Sequence, residues 1–215
     1  MAFSEQEIFD LNNAMTANQN VQLGTLLNDV LFGGLPDPSV GEITNMSAVK
    51  YTVAPTVGSA TATKAAFALT ASAQTGITAG ITNPDVPRIV TVKGNASGIT
   101  GNVVVHGTNI NDVVISDTIA LNGASEVVGA KAFKTVTAID YPAETNVGTD
   151  TVSIGRGVKI GFPAIISNTG LVIAKNFDGG VDAGTVTAST TVEGSIYAVA
   201  GTMNGVKLVS LVFLV

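Results

Sequence analysis

The chain has 215 residues, of which 46% are apolar and only 12% charged, against about a quarter charged in an average soluble domain, so Thr, Ser, Asn, Ala and Gly must furnish much of its exterior. A net charge of −6, a pI near 4.6 and Lys and Arg scattered from Lys50 to Lys207 without a basic run argue against a nucleic-acid partner. With no cysteine and a single histidine, His106, the chain excludes disulfides, thiolate metal sites and cysteine nucleophiles, and offers little to a zinc site or a histidine-based triad.

The N-terminal MAFSEQEIFD lacks the positive segment and apolar core of a secretion signal. Ser4 to Phe32 reads as helical. Ser4-Glu5-Gln6-Glu7 fits a capping box, in which the serine accepts from the third helical amide and the glutamate reaches back to the cap. Ile8, Leu11 and Met15 follow at helical spacing; beyond Asn18-Gln19-Asn20, a second apolar stripe comprises Leu23, Leu26, Leu27, Val30 and Leu31. Gly33-Gly34 stops the pattern and Pro36 and Pro38 block a restart. Three poor helix formers at the break favour two short helices over one. Short helices are marginal in water and must dock, either on their own domain or on a neighbouring subunit. These eight apolar residues are therefore the candidate partner-binding set. Residues 1–47 read as a helical arm with a Pro/Gly linker, and 48–215 as a β-rich domain divisible at 48–86 and 87–215.

From Lys50 the pattern changes to period two. Tyr51-Thr52-Val53 reads as a short strand. Pro55 to Asn83 is rich in Thr, Ala, Gly and Ser, and fits either a loop or thin strands such as Ala65 to Thr70. Val90 and Val92 alternate within Arg88 to Lys93, the turn cluster Gly94 to Gly98 follows, and Val103-Val104-Val105 closes at Gly107. Val113, Ile115, Ile119 and Leu121 share one face, which Asp117 interrupts. Asn122-Gly123 predicts a type I′ hairpin, with Phe133 to Ile139 as the returning strand. Thr149 to Ile154 and Val158 to Phe162 read as strands joined by a turn at Gly155-Arg156-Gly157. Leu171 to Lys175, a turn at Asn176 to Gly180, Thr185 to Thr191 and Val206 to Val215 complete the chain. Such spacing predicts a mainly β fold, an antiparallel β-sandwich or barrel with a short helical N-terminal arm.

No apolar run approaches the length of a membrane span. Ile160 to Ala174 is broken by Pro163 and by Ser167-Asn168-Thr169, and the final KLVSLVFLV has the length of a buried strand. His106 sits beside a valine run with no GxSxG elbow in the chain, so a strand histidine facing solvent or a neighbouring strand is expected. Asn109 to Asp112 and Asp178 to Asp182 gather oxygen ligands but lack the spacing of an EF-hand, and Asp or Asn beside Gly is mostly a turn former. Asp112 and Asp117, five apart on a strand, would point to opposite faces. Gly94 to Gly101 lacks the Gly-Lys-Thr of a phosphate loop. No catalytic residue, cofactor or metal is expected.

Three motifs carry a family resemblance. Ile89 to Gly98 resembles the V-T-V-x-G-x-x-A-x-G opening common in structural proteins of tailed bacteriophages. Asp117-Thr118-Ile119-Ala120-Leu121-Asn122-Gly123, followed by Lys131 to Ile139, is similar to their E-T-I-x-L-N-G and G-x-K-A-F-K-T-V-T-x-I. Val152 to Pro163 resembles the V-x-V-G-x-G-x-K-x-G-L-P that often comes next, with Phe162 in place of leucine. The chain is most like a head decoration, or capsid cement, protein. That resemblance implies a non-enzymatic β-domain that binds the major capsid protein from outside as a homo-oligomer, commonly a trimer. It would reside in the virion, assembled in the host cytoplasm, without nucleic-acid or membrane partners. A tail-tube or baseplate protein is the alternative within virions. A carbohydrate-binding adhesion module is a weaker one, since the chain has no Trp and only Tyr51, Tyr141 and Tyr197 to stack on sugars.

Overall fold

A computed structural model describes residues 47–215. The helical arm expected before residue 47 lies outside the described residues. Within them, fourteen strands form: β1 (Ala48–Val53), β2 (Ser59–Ala68), β3 (Gln74–Ile77), β4 (Arg88–Gly94), β5 (Asn102–Thr108), β6 (Val114–Ala120), β7 (Val127–Phe133), β8 (Thr135–Tyr141), β9 (Thr151–Gly161), β10 (Val172–Phe177), β11 (Gly180–Val181), β12 (Thr185–Thr187), β13 (Ile196–Ala198) and β14 (Val209–Leu214). The described helical structure is one 3-10 turn, Thr169–Leu171, and no described helix is long and apolar enough to cross a membrane.

The strands build three antiparallel sheets. The central one runs β12-β13-β9-β4-β7, the second β3-β8-β5-β6 and the third β1-β14-β10-β11. β4 occupies one edge of β9, so β2 and β13 share the other, β2 against Thr151 to Arg156 and β13 against Lys159 to Gly161. The second sheet shows the alternation that period two requires. β6 buries Ile115, Asp117 and Ile119 and exposes the residues between. Val90 and Val92 of β4, Val152 and Ile154 of β9, Val103 and Val105 of β5, and Ile139 and Tyr141 of β8 join these isoleucines in one apolar core. The two sheets thus face each other as a β-sandwich. Phe67 stacks on Tyr141 with ring centroids 4.5 Å apart, and the core draws on Leu69 as well as on strands beyond Pro87.

Asn122-Gly123 makes a turn, but not the expected hairpin. Gly123 alone of the pair takes a positive φ, 55°, whereas a type I′ turn requires two. The Gly123 amide donates to Ile99 O, and its carbonyl accepts from the Gly94 amide. The chain therefore leaves the second sheet at β6 and enters the central sheet at β7, which pairs with β4. Phe133 to Ile139 divides at Lys134, and β8 pairs with β5 and β3, not with β6. The I′-like hairpin lies instead at Asp178-Gly179, with φ of 53° and 84°, between β10 and β11.

The turn expected at Gly155-Arg156-Gly157 is the middle of an eleven-residue strand, β9. Gly155 is required there by close approach: a Cβ would collide with Ser59 O, lie 2.5 Å from Thr91 Oγ1 and 2.6 Å from Ala60 Cα. β2 thus crosses directly over a site with no side chain. Just beyond, β9 bulges. Val90 faces Arg156 but Arg88 faces Ile160, so two residues along β4 correspond to four along β9.

Two predictions follow from this packing. Gly155→Ala should destabilise the fold by about 3 kcal/mol, because rigid backbone surrounds the added methyl; urea unfolding checks it, and an unchanged midpoint would show that β2 can lift away. Tyr141→Phe should leave stability equal or raise it by about 1 kcal/mol, since the buried Tyr141 hydroxyl has no hydrogen-bond partner and burial pushes its pKa up.

Candidate functional site

Ile8, Leu11, Met15, Leu23, Leu26, Leu27, Val30 and Leu31 lie outside the described residues. Among the described ones, polar side chains gather in several places, and each group is tied into the fold.

His106 lies on β5, and its Nε2 is 2.9 Å from Asp140 Oδ2 on β8, a diagonal cross-strand pair. Asp140 Oδ1 also accepts from the Gly76 amide at 2.7 Å. The His106 hydrogen bond, with help from Gly76, holds the Asp140 carboxyl below its ordinary range. Asp117, on the inward face of β6, accepts the Ala130 and Lys131 amides at 2.7 and 3.1 Å. It therefore joins the edge of the second sheet to β7 of the central one, and the residue that breaks the apolar pattern proves to be a seam. Asp112 takes a φ of 61° in the turn after β5 and pairs with Lys134, so it does not share a strand with Asp117. Asp182 accepts from the Tyr197 hydroxyl at 2.5 Å and from the Ala200 amide at 3.1 Å, while Asp178 pairs with Lys207. The two acidic residues of that loop thus serve different partners. Asn109 caps its own turn by accepting from the Asn111 and Val113 amides. No group of three or more His, Asp or Glu among the described residues could hold a metal ion.

The most extensive of these networks lies at the β9 bulge. Arg88 is fully buried. Its Nε and Nη2 both donate to Gly157 O, and its Nη1 donates to Thr56 O at 3.0 Å and Asp85 Oδ1 at 2.9 Å. The other Asp85 oxygen accepts from the Thr56 amide and hydroxyl at 2.6 and 2.8 Å, and Arg156 Nη1 stands 3.8 Å from Oδ1. Burial opposes the charged form of Asp85, but these hydrogen bonds and the Arg88 guanidinium outweigh it and lower the pKa to about 2.

Beside this network the central sheet opens a groove of about 340 Å³, lined by Val57 to Ala60, Thr91, Glu126, Val128 and Arg156 to Lys159. Val57, Val128 and Val158 are 56%, 46% and 50% exposed. Thr91, from β4, is 1% exposed, and its Oγ1 has no partner, nor has the buried Nε of Arg156. The groove was not legible as a site in the sequence. Its one signal is the pair Gly155 and Gly157, which reads as a turn but clears space above β9.

Comparison with family models, with curated proteins and with solved structures found no match for this chain.

Because the folded-state pKa of Asp85 is depressed, its stabilisation is fully present above the unfolded value near 3.8 and is lost as pH falls toward 2. Asp85→Asn should therefore cost on the order of 1 kcal/mol at pH 7, discounted for partial exposure, and the gap from the parent should narrow to about a third of that by pH 2.5 and close only below the folded-state value of about 2. Urea unfolding at the two pH values measures this; a gap of equal size at both would show that the carboxylate charge is not what ties Arg88.

Proposed function

We propose that the chain is a non-enzymatic structural protein of a bacteriophage virion, which decorates the capsid from outside and stabilises it as a homo-oligomer, a trimer by resemblance. Its partners would be further copies of itself and the major capsid protein, with assembly in the host cytoplasm. The observation that carries this reading is how the described side chains are used. His106, Asp85, Asp117, Asp140 and Asp182 are each committed to a hydrogen bond inside the fold. Val57, Val114, Val128, Val158 and Val181 meanwhile stand between 46% and 91% exposed. Polar groups that hold the scaffold and apolar groups that face outward suit a protein whose work is contact.

The resemblance supports the same reading, because its three motifs fall on β4, β6 to β8 and β9, the strands that make the sandwich. The N-terminal 47 residues supply the second element of the proposal, an arm that clasps the capsid or an adjacent subunit through Ile8, Leu11, Met15, Leu23, Leu26, Leu27, Val30 and Leu31.

Purified protein should co-sediment with preformed capsids, and capsids lacking it should break at lower temperature or in low salt. Absence of binding, together with labelling on tails, would sink the decoration reading in favour of a tail component. Deleting residues 1–34 should leave the β-rich circular dichroism and melting transition intact while weakening co-sedimentation.

A further inference from the structure

The groove beside the β9 bulge has the features of a contact surface between copies of this chain. Its floor is Thr91 of β4, with Gly157 beside it on β9; Glu126 and Val128 stand toward β7, and Arg156, Val158 and Lys159 belong to β9. β7 and β9 are separated by β4, so the two walls are held about 9–10 Å apart, two strand spacings. Glu126 and Lys159 face the same groove but form no ion pair with each other among the described residues. The patch therefore has exposed valines at 57, 128 and 158, an acid at Glu126 and a base at Lys159, while the Arg156 guanidinium is turned to Asp85.

A surface of this kind is complementary to itself. We propose that a second copy of this chain docks on this groove about a twofold axis, so that Glu126 of each copy meets Lys159 of the other while the valines meet at the centre. A twofold axis puts the same patch on both sides of the contact, so one patch with opposite charges on its two sides suffices. The low overall charge of the chain leaves little net repulsion to oppose it.

The inference rests on the reading of the chain as a self-associating structural protein, but not on the identity of the particle it joins.

The test is the oligomeric state of the full-length protein by sedimentation velocity across a concentration series. The parent should associate. Val128→Asp and Val158→Asp place charge on exposed positions, so they should fold normally by circular dichroism yet raise the dissociation constant at least about tenfold. Glu126→Lys and Lys159→Glu should each weaken association several-fold, and an equimolar mixture of the two should recover part of it, because each supplies the charge the other's groove lacks. A monomeric parent, or an oligomer that none of these variants disturbs, would overturn the proposal. Loss of capsid binding by variants that remain oligomeric would instead bear on the decoration reading alone.

Discussion

The structure depends on how one buried guanidinium is held. Arg88 sits at the start of β4, where β9 carries two extra residues past its partner. A bulge of that size leaves carbonyls pointing away from the ladder, and buried carbonyls need donors. Arg88 supplies them: two of its nitrogens take Gly157 O and a third takes Thr56 O. An unpaired charge in that position would be expensive, so Asp85 is held against it, itself fixed by the Thr56 amide and hydroxyl. The loop before β2, the entry to β4 and the middle of β9 are thereby joined through one side chain.

That joint allows β9 to serve two neighbours along one edge. Up to Arg156 it carries β2, and from Lys159 it carries β13. The bulge falls between the two, and Gly155 leaves the space through which β2 passes. The sandwich core forms on the other side of this strand, where Val152 and Ile154 meet β5, β6 and β8. Asp117 closes the opposite margin, since its carboxylate accepts two β7 amides that the β4 ladder does not use. The fold is thus fastened at two margins by acids and an arginine that look isolated in the sequence.

Where strands were legible, as β5, β6 and β14 were, their cause is local, whereas β3, β7 and β13 carried no such signal. Alternating burial in β5, β6 and β14 follows directly from the spacing of Val, Ile, Leu and Phe. Strand partners were less so. Asn122-Gly123 has the composition of a hairpin, but what decides its path is a pair of backbone hydrogen bonds to Ile99 and Gly94, more than twenty residues upstream. Gly155-Arg156-Gly157 has the composition of a turn, and only the crossing of β2 from a hundred residues away explains why it stays extended. The groove belongs with these failures. Its residues come from four separate stretches, and nothing in any one of them marks a surface.

The same separation explains why a chain so poor in charge can carry a directed surface. Glu126 and Lys159 are thirty-three positions apart and would ordinarily pair if the fold brought them together, as Lys134 and Asp112 do. The central sheet prevents it by placing β4 between them. Each charge is left facing outward across a row of valines, and the rigid ladder fixes their spacing. An exposed ion pair would be worth little to stability, whereas two opposite charges that cannot meet within one chain retain their full capacity to choose an orientation in a partner. In the proposed self-association, the sheet order that builds the core therefore also determines which charges meet the docking copy.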